Sequence, residues 1–234
     1  MARRPKRQRK APAPPPPRGA SDRDKAVDAL MALLAEQSFA QIGLAEIAGR
    51  AGLKLSQLRA EFGSPLAILG AHIKDIDRIV LAGSDADMAE ESPRDRLFDV
   101  LMRRLEALKP YKEATRSLLR SARRNPGLAL ALNAFAVRAQ HWMLEAAGIG
   151  AHGPKGALRA QGAALLFARV LAVWLDDEDE NLDRTMAALD RALASAERWS
   201  GFLDDMMCMP AMLCSGPRRP RRPPDEGPAE AEAA

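Results

Sequence analysis

Aromatic residues make up only 4% of this 234-residue chain. Ala, Leu and Met supply most of the apolar content instead, which favours packed helices over a sheet. No run of alternating β-branched residues is long enough for a strand. No segment reaches roughly eighteen uninterrupted apolar residues, so no membrane span is expected. The basic N-terminus lacks the apolar core of a signal peptide, and a cytoplasmic location is expected. The two cysteines, Cys208 and Cys214, lie near the end and suggest no disulfide framework. The three histidines, His72, His141 and His152, read as isolated apart from the His72/Asp75 spacing, so no metal site is expected. With no Gly-rich phosphate loop and no nucleophile triad either, neither an enzyme nor a cofactor is expected.

Charge is plentiful but unevenly placed. Of 35 Lys/Arg and 31 Asp/Glu, residues 1–20 hold seven bases and no acid, and residues 216–234 hold four of each. That leaves 24 bases against 27 acids in 21–215, so the basicity belongs to a tail and not to the fold. Residues 1–20 read as a basic, proline-rich arm in extended form, able to add salt-dependent phosphate contacts or only to solubilise. Residues 210–234 read as a disordered tail. The sulfur-rich stretch Met206, Met207, Cys208, Met209, Met212 and Cys214 reads as a helix end plus tail, not as a soft-metal site.

Between these ends the apolar spacing is helical throughout. Ser21 offers an N-cap to a helix over 22–36 with an apolar stripe of Val27, Leu30, Met31, Leu33 and Leu34. Residues 44–62, LAEIAGRAGLKLSQLRAEF, then place Leu44, Ile47 and Ala48 on one face. Gly52 and Leu53 follow, and a second apolar set, Leu55, Leu58 and Phe62, continues at spacings of three and four. Two short amphipathic helices joined by a turn with Gly is the pattern of a helix-turn-helix. Pro65 starts a helix to about residue 81, and Ser92-Pro93 another that Lys109-Pro110 ends. Helices over 111–124, 128–147 and 157–175 follow, with a glycine-rich loop expected over 148–156. After the acidic turn 176–180, which lacks a calcium loop's ligand order, Leu182, Met186, Leu189 and Leu193 repeat at four and three. That seam suits packing against another helix. The expected fold is all-α, with nine helices. The expected segments are an arm over 1–20, a helix-turn-helix domain over 21–65, a helical bundle over 66–209 and a tail over 210–234.

Two family resemblances follow from these residues. LAEIAGRAG, then Leu58 and Phe62, then a break and Leu66-Ala67-Ile68-Leu69, resemble the N-terminal domain of tetracycline-repressor (TetR) family regulators. The resemblance implies a cytoplasmic homodimer whose paired recognition helices enter successive major grooves of a near-palindromic double-stranded DNA operator, released by a small apolar ligand. It makes Lys54, Ser56, Gln57 and Arg59 the recognition-helix candidates, Gln57 suited to adenine and Arg59 to guanine or a phosphate. Lys54, Arg59 and Pro65 stand where the family usually has a small polar residue, a Tyr and a Lys. It also implies that 157–175 and the helix from 182 form the dimer interface, with Leu182, Met186, Leu189 and Leu193 at the contact.

Residues 104–119 (RLEALKPYKEATRSLL) and 173–193 (VWLDDEDENLDRTMAALDRAL) resemble a second family of the same fold. Its members are the lipid-binding accessory proteins of ubiquinone biosynthesis, which partner a hydroxylase and not an operator. Both resemblances imply an apolar or lipid-like ligand inside the bundle. The candidate lining residues are Phe98, Met102, Phe135, Trp142, Met143, Phe167 and Trp174.

Overall fold

The structure, a computed structural model, describes residues 21–83 and 90–197. The chain divides into two units, Met1–Leu193 and Ala194–Ala234, and of the second only 194–197 are described. The basic arm, the Met/Cys stretch 206–214 and the Pro/Arg tail all lie outside the described residues.

Eight α-helices have both ends described: α1 (Asp22–Glu36), α2 (Leu44–Ala51), α3 (Leu55–Glu61), α4 (Pro65–Ala82), α5 (Pro93–Leu108), α6 (Lys112–Arg124), α7 (Pro126–Ala146) and α8 (Gly153–Leu175). Residues 183–197 are helical as far as they are described, and no strand occurs among the described residues. Nine helices were expected; eight are complete here.

Local chemistry explains most of the starts. Ser21, Ser64 and Ser92 each turn a hydroxyl back to a backbone N–H of the first turn, and Asn125 does the same with its side-chain oxygen. Each such cap satisfies one of the donors that a helix start leaves orphaned. Pro sits in the first turn of α4, α5, α7 and α8, where its missing N–H costs nothing. α2 ends at Gly52 with φ 67°, and the Leu53 N–H then bonds back to the Ala48 carbonyl at 2.9 Å. A side chain at Gly52 would be strained by that φ.

Two starts depart from expectation. α8 begins at Gly153, so the second half of the glycine-rich 148–156 segment is helix and not loop. Pro154 starts it from the first turn, and Gly156 is required by contact: a Cβ there would fall 2.0 Å from the Ala151 carbonyl. α7 likewise begins two residues earlier than its apolar stripe suggests, because Asn125 and Pro126 set the start.

Two apolar cores share α4. The first gathers α1, α2 and α3 around Leu30, Leu34, Ile47 and Leu58, with Ile68 and Leu69 from α4, and also takes Ala114, Leu118 and Leu128 from α6 and α7. The second gathers Ile76 and Val80 of α4, Leu101 and Leu105 of α5, Met143 of α7, Phe167 and Trp174 of α8, and Leu189 and Leu193. α4 and α7 both run across the two cores and join them. Ser117 of α6 donates to the Gln37 carbonyl at 2.9 Å, and Phe39 N–H donates to Ser121 at 3.2 Å, holding α6 against the end of α1.

Candidate functional site

Leu58 turns inward and is 1% exposed, with Leu53 and Phe62 closing the same core on either side. Every other residue of α3 is exposed, as is Lys54 just before it. The outer face therefore carries Lys54, Leu55, Ser56 and Arg59. Arg59 makes no hydrogen bond or ion pair among the described residues.

Leu55 overturns a sequence expectation. The 55/58/62 spacing suggested one buried stripe, but Leu55 is 55% exposed because Leu53, in the turn, already fills the inner position. An exposed leucine at the head of α3 can meet an apolar surface such as a thymine methyl group.

Gln57 is spoken for by the fold. Its Oε1 accepts the Lys54 N–H at 2.9 Å, and its Nε2 donates to Asp22 at 2.9 Å. It thus caps α3, where Lys54 has no acceptor to offer, and ties α3 to the first turn of α1. A base-reading Gln57 would have to give up both bonds.

Behind α3, two carboxylates two residues apart on α4 point to different neighbours. Asp75, with an 8% exposed side chain, takes a forked pair of hydrogen bonds from Arg23 of α1, at 2.9 and 3.2 Å. The Asp75 hydrogen bond raises the pKa of the Arg23 guanidinium despite some desolvation. Asp77 instead accepts a hydrogen bond from Arg104 of α5, and both side chains are nearly buried. The Arg104 guanidinium also lies 5.7 Å from the Phe167 ring centre on α8. One helix is thereby pinned by charge to α1 on one side and to α5 and α8 on the other. Gly70, on the same helix, has the Phe135 ring of α7 where a side chain would stand: a Cβ would come within 3.1 Å.

The seven residues expected around a ligand do not share one environment. Met143, Phe167 and Trp174 are buried in the second core, and Phe98 and Met102 lean on it. Phe135 packs on Gly70 of α4. Trp142 is 53% exposed, its ring edge-to-face with His141, so it is a surface residue and not part of an interior lining. Two clefts open to solvent contain none of the seven. One, of about 600 Å³, runs between α7 and α8 past Asn133, Val137, Arg138, His141, Ala160 and Gln161. The other, of about 440 Å³, lies against Val173, Asp183, Arg184, Ala187, Ala188 and Arg191.

The seam from Leu182 to Leu193 packs largely on the chain's own second core. Leu189 and Leu193 are buried in the second core, Leu182 packs against it and Met186 is half-buried. Leu189 and Leu193 thus face the chain's own core, while Leu182 and Met186 keep part of their surface exposed. Exposed large apolar side chains on the bundle include Leu158 and Leu165 of α8, 57% and 53% exposed, and Leu130 of α7, 72% exposed. By length and composition α8 could cross a membrane, and only 33% of its apolar window is buried in this chain.

The acidic turn 176–180 is structural. Asp177 is 1% exposed and accepts the Thr185 N–H at 2.9 Å and its hydroxyl at 2.6 Å, which caps the helix that follows. The Thr185 hydroxyl bond holds the Asp177 carboxyl below the usual carboxylate range. Lys112 donates to the Asp177 carbonyl at 2.6 Å and Arg116 to Asp176 at 2.8 Å, joining α6 to this turn.

Solved structures share this fold. The chain is similar to a TetR transcriptional regulator from Nitrosomonas europaea ATCC 19718, with 24% identity and a TM-score of 0.59, over 75% of this chain and 97% of that one. It is also similar to a TetR-family transcriptional regulator from Streptomyces coelicolor, with 15% identity and a TM-score of 0.53, over 84% and 90%. A third is a TetR transcriptional regulator from Rhodococcus sp. RHA1, with 23% identity and a TM-score of 0.50, over 74% and 94%. No family model and no curated protein matches the sequence. At these identities the likeness is one of fold.

Proposed function

We propose that this chain, with the fold of TetR-family regulators, is a DNA-binding transcriptional regulator that reads an operator through α3. The observation that carries this is the division of labour on α3. Leu58 holds the helix in the core and Gln57 anchors its start, while Lys54, Leu55, Ser56 and Arg59 are left outward without a structural task. Arginine can read guanine in the major groove or hold a phosphate, and an apolar side chain can meet a thymine methyl group. A homodimer is supported by the exposed leucines of α8, Leu158 and Leu165, which a second copy would cover; paired α3 helices are what a near-palindromic operator requires.

Release by a small apolar ligand is the finer part of the reading. α4 is pinned to α1 by Asp75 and to α5 by Asp77, so a ligand that repacks α5, α7 or α8 would turn α4 and carry α1 and α3 with it. Such a ligand acts only by as much as its affinity differs between the two arrangements.

Arg59→Ala tests the reading. It is expected to weaken operator binding by about 1–3 kcal/mol, with no change in thermal stability because the side chain is exposed. Fluorescence anisotropy with the protein's own upstream DNA measures it, and unchanged affinity removes Arg59 from the interface. A second reading, the lipid-binding accessory protein, is supported by the way its two resembling segments meet through Lys112 and Arg116. Co-purifying isoprenoid lipid together with no sequence-selective DNA binding would favour it.

A further inference from the structure

Two of the chain's three histidines, which look isolated in sequence, meet at the junction of α7 and α8. His141 and Glu145 stand four residues apart on α7 and so share a face. His152 is the residue just before α8, its side chain making no capping hydrogen bond, and left-handed Gly148 (φ 72°) and Gly153 (φ 67°) flank its approach. The His152 Nδ1 lies 3.4 Å from Glu145 Oε1, and the His141 and His152 ring centres are 6.2 Å apart, edge to face. The Ala151 N–H donates to the same Glu145 oxygen at 3.2 Å, which orients the carboxylate towards the loop.

We propose that His141, Glu145 and His152 form a binding site for one divalent transition-metal ion, such as zinc, cobalt or nickel. Imidazole nitrogen and carboxylate oxygen are ligands that such ions accept together. Bonds of about 2.1 Å at a tetrahedral angle put two donors roughly 3.4 Å apart, which is the His152–Glu145 separation. Two imidazoles on one ion have ring centres roughly 5 Å apart. The observed 6.2 Å leaves His141 about 1 Å short of closure. As folded, the three side chains therefore do not close on one point. His141 is half-buried at the edge of the solvent-open cleft between α7 and α8, so its ring can turn towards the other two, and the cleft leaves a fourth position for water or a small ligand. An ion pair alone gives these groups little reason to converge, because the His152 side chain is 84% exposed and surface pairs contribute little. A bound ion would clasp the loop between α7 and α8 and fix the start of α8, whatever the chain does with DNA.

The test uses the full-length, untagged chain titrated with Co²⁺, followed by the ligand-field absorption of the ion, and with Zn²⁺ by calorimetry. One ion per chain is expected, with affinity lowered about ten-fold or more in His141→Gln and in His152→Gln. Both positions are solvent-accessible, so thermal unfolding of the ion-free variants is expected to match the parent. Cys208→Ser/Cys214→Ser is expected to bind as the parent does, which separates this site from the sulfur-rich stretch. No saturable binding by the parent chain overturns the proposal. So does undiminished binding by the His141→Gln/His152→Gln double variant, or loss of binding in the cysteine variant.

Discussion

Asp77→Ala is expected to destabilise the chain by about 3–5 kcal/mol, because it leaves a buried guanidinium without its counter-charge. Arg104 is 6% exposed and is wedged between Asp77 on α4 and the Phe167 ring on α8. Removing the carboxylate does not return Arg104 to water; it strands the charge in the second core. In a chain of this size the loss lowers the melting temperature by on the order of 10 °C. Replacing both partners with apolar residues, Asp77→Leu with Arg104→Met, is expected to cost far less, since no charge is then left unpaired. Asp75→Ala supplies the contrast. Its partner Arg23 has a 32% exposed side chain and can recover hydration when the carboxylate is lost, so a smaller effect is expected. Urea unfolding measures all three. A loss below about 1 kcal/mol in Asp77→Ala would show that water reaches Arg104 and that the α4–α5 joint is not rigid.

The second large effect is expected at Trp174. Trp174→Ala removes the largest fully buried side chain among the described residues and should cost about 3–5 kcal/mol, the sum of lost transfer energy and the cavity left behind. The ring also lies 5.4 Å from Lys112 Nζ, a contact that links α6 to α8 and goes with it. The magnitude decides between two roles. A tryptophan that closes a packed core gives the full loss, whereas one that lines a ligand space already has empty volume beside it and gives less. Trp142→Ala serves as the control, since its exposed ring should cost no more than about 0.5 kcal/mol. A near-equal cost for the two tryptophans would contradict the packing described here.

The difference between these tryptophans shows where the sequence was readable and where it was not. α1 has both its ends in local chemistry: Ser21 caps it, and an apolar stripe runs to its last turn. Gly52 is equally local, because a left-handed helix end asks for glycine wherever the rest of the chain lies. Gln57 is the opposite case. Its residue type suits a base-reading role, and only the partner Asp22, 35 positions earlier, shows that the amide is already used. Periodicity placed Leu189 and Leu193 on one stripe, but a stripe does not say whether a second chain or the chain's own core covers it. The start of α8 was obscured because Gly156 answers to the Ala151 backbone and not to its neighbours in sequence. His141 read as isolated although Glu145 stands four residues on along the same helix, and His152 joins them only when the loop folds back.

Operator reading by α3 is tested most directly by anisotropy binding to the protein's own upstream DNA at near-physiological salt. The full-length chain is compared with one lacking residues 1–20, with scrambled DNA as competitor. The basic arm alone would give salt-dependent binding with no sequence preference. Sequence-selective binding that survives loss of the arm is the predicted result. Binding that disappears with the arm, or that never exceeds the scrambled competitor, would contradict it.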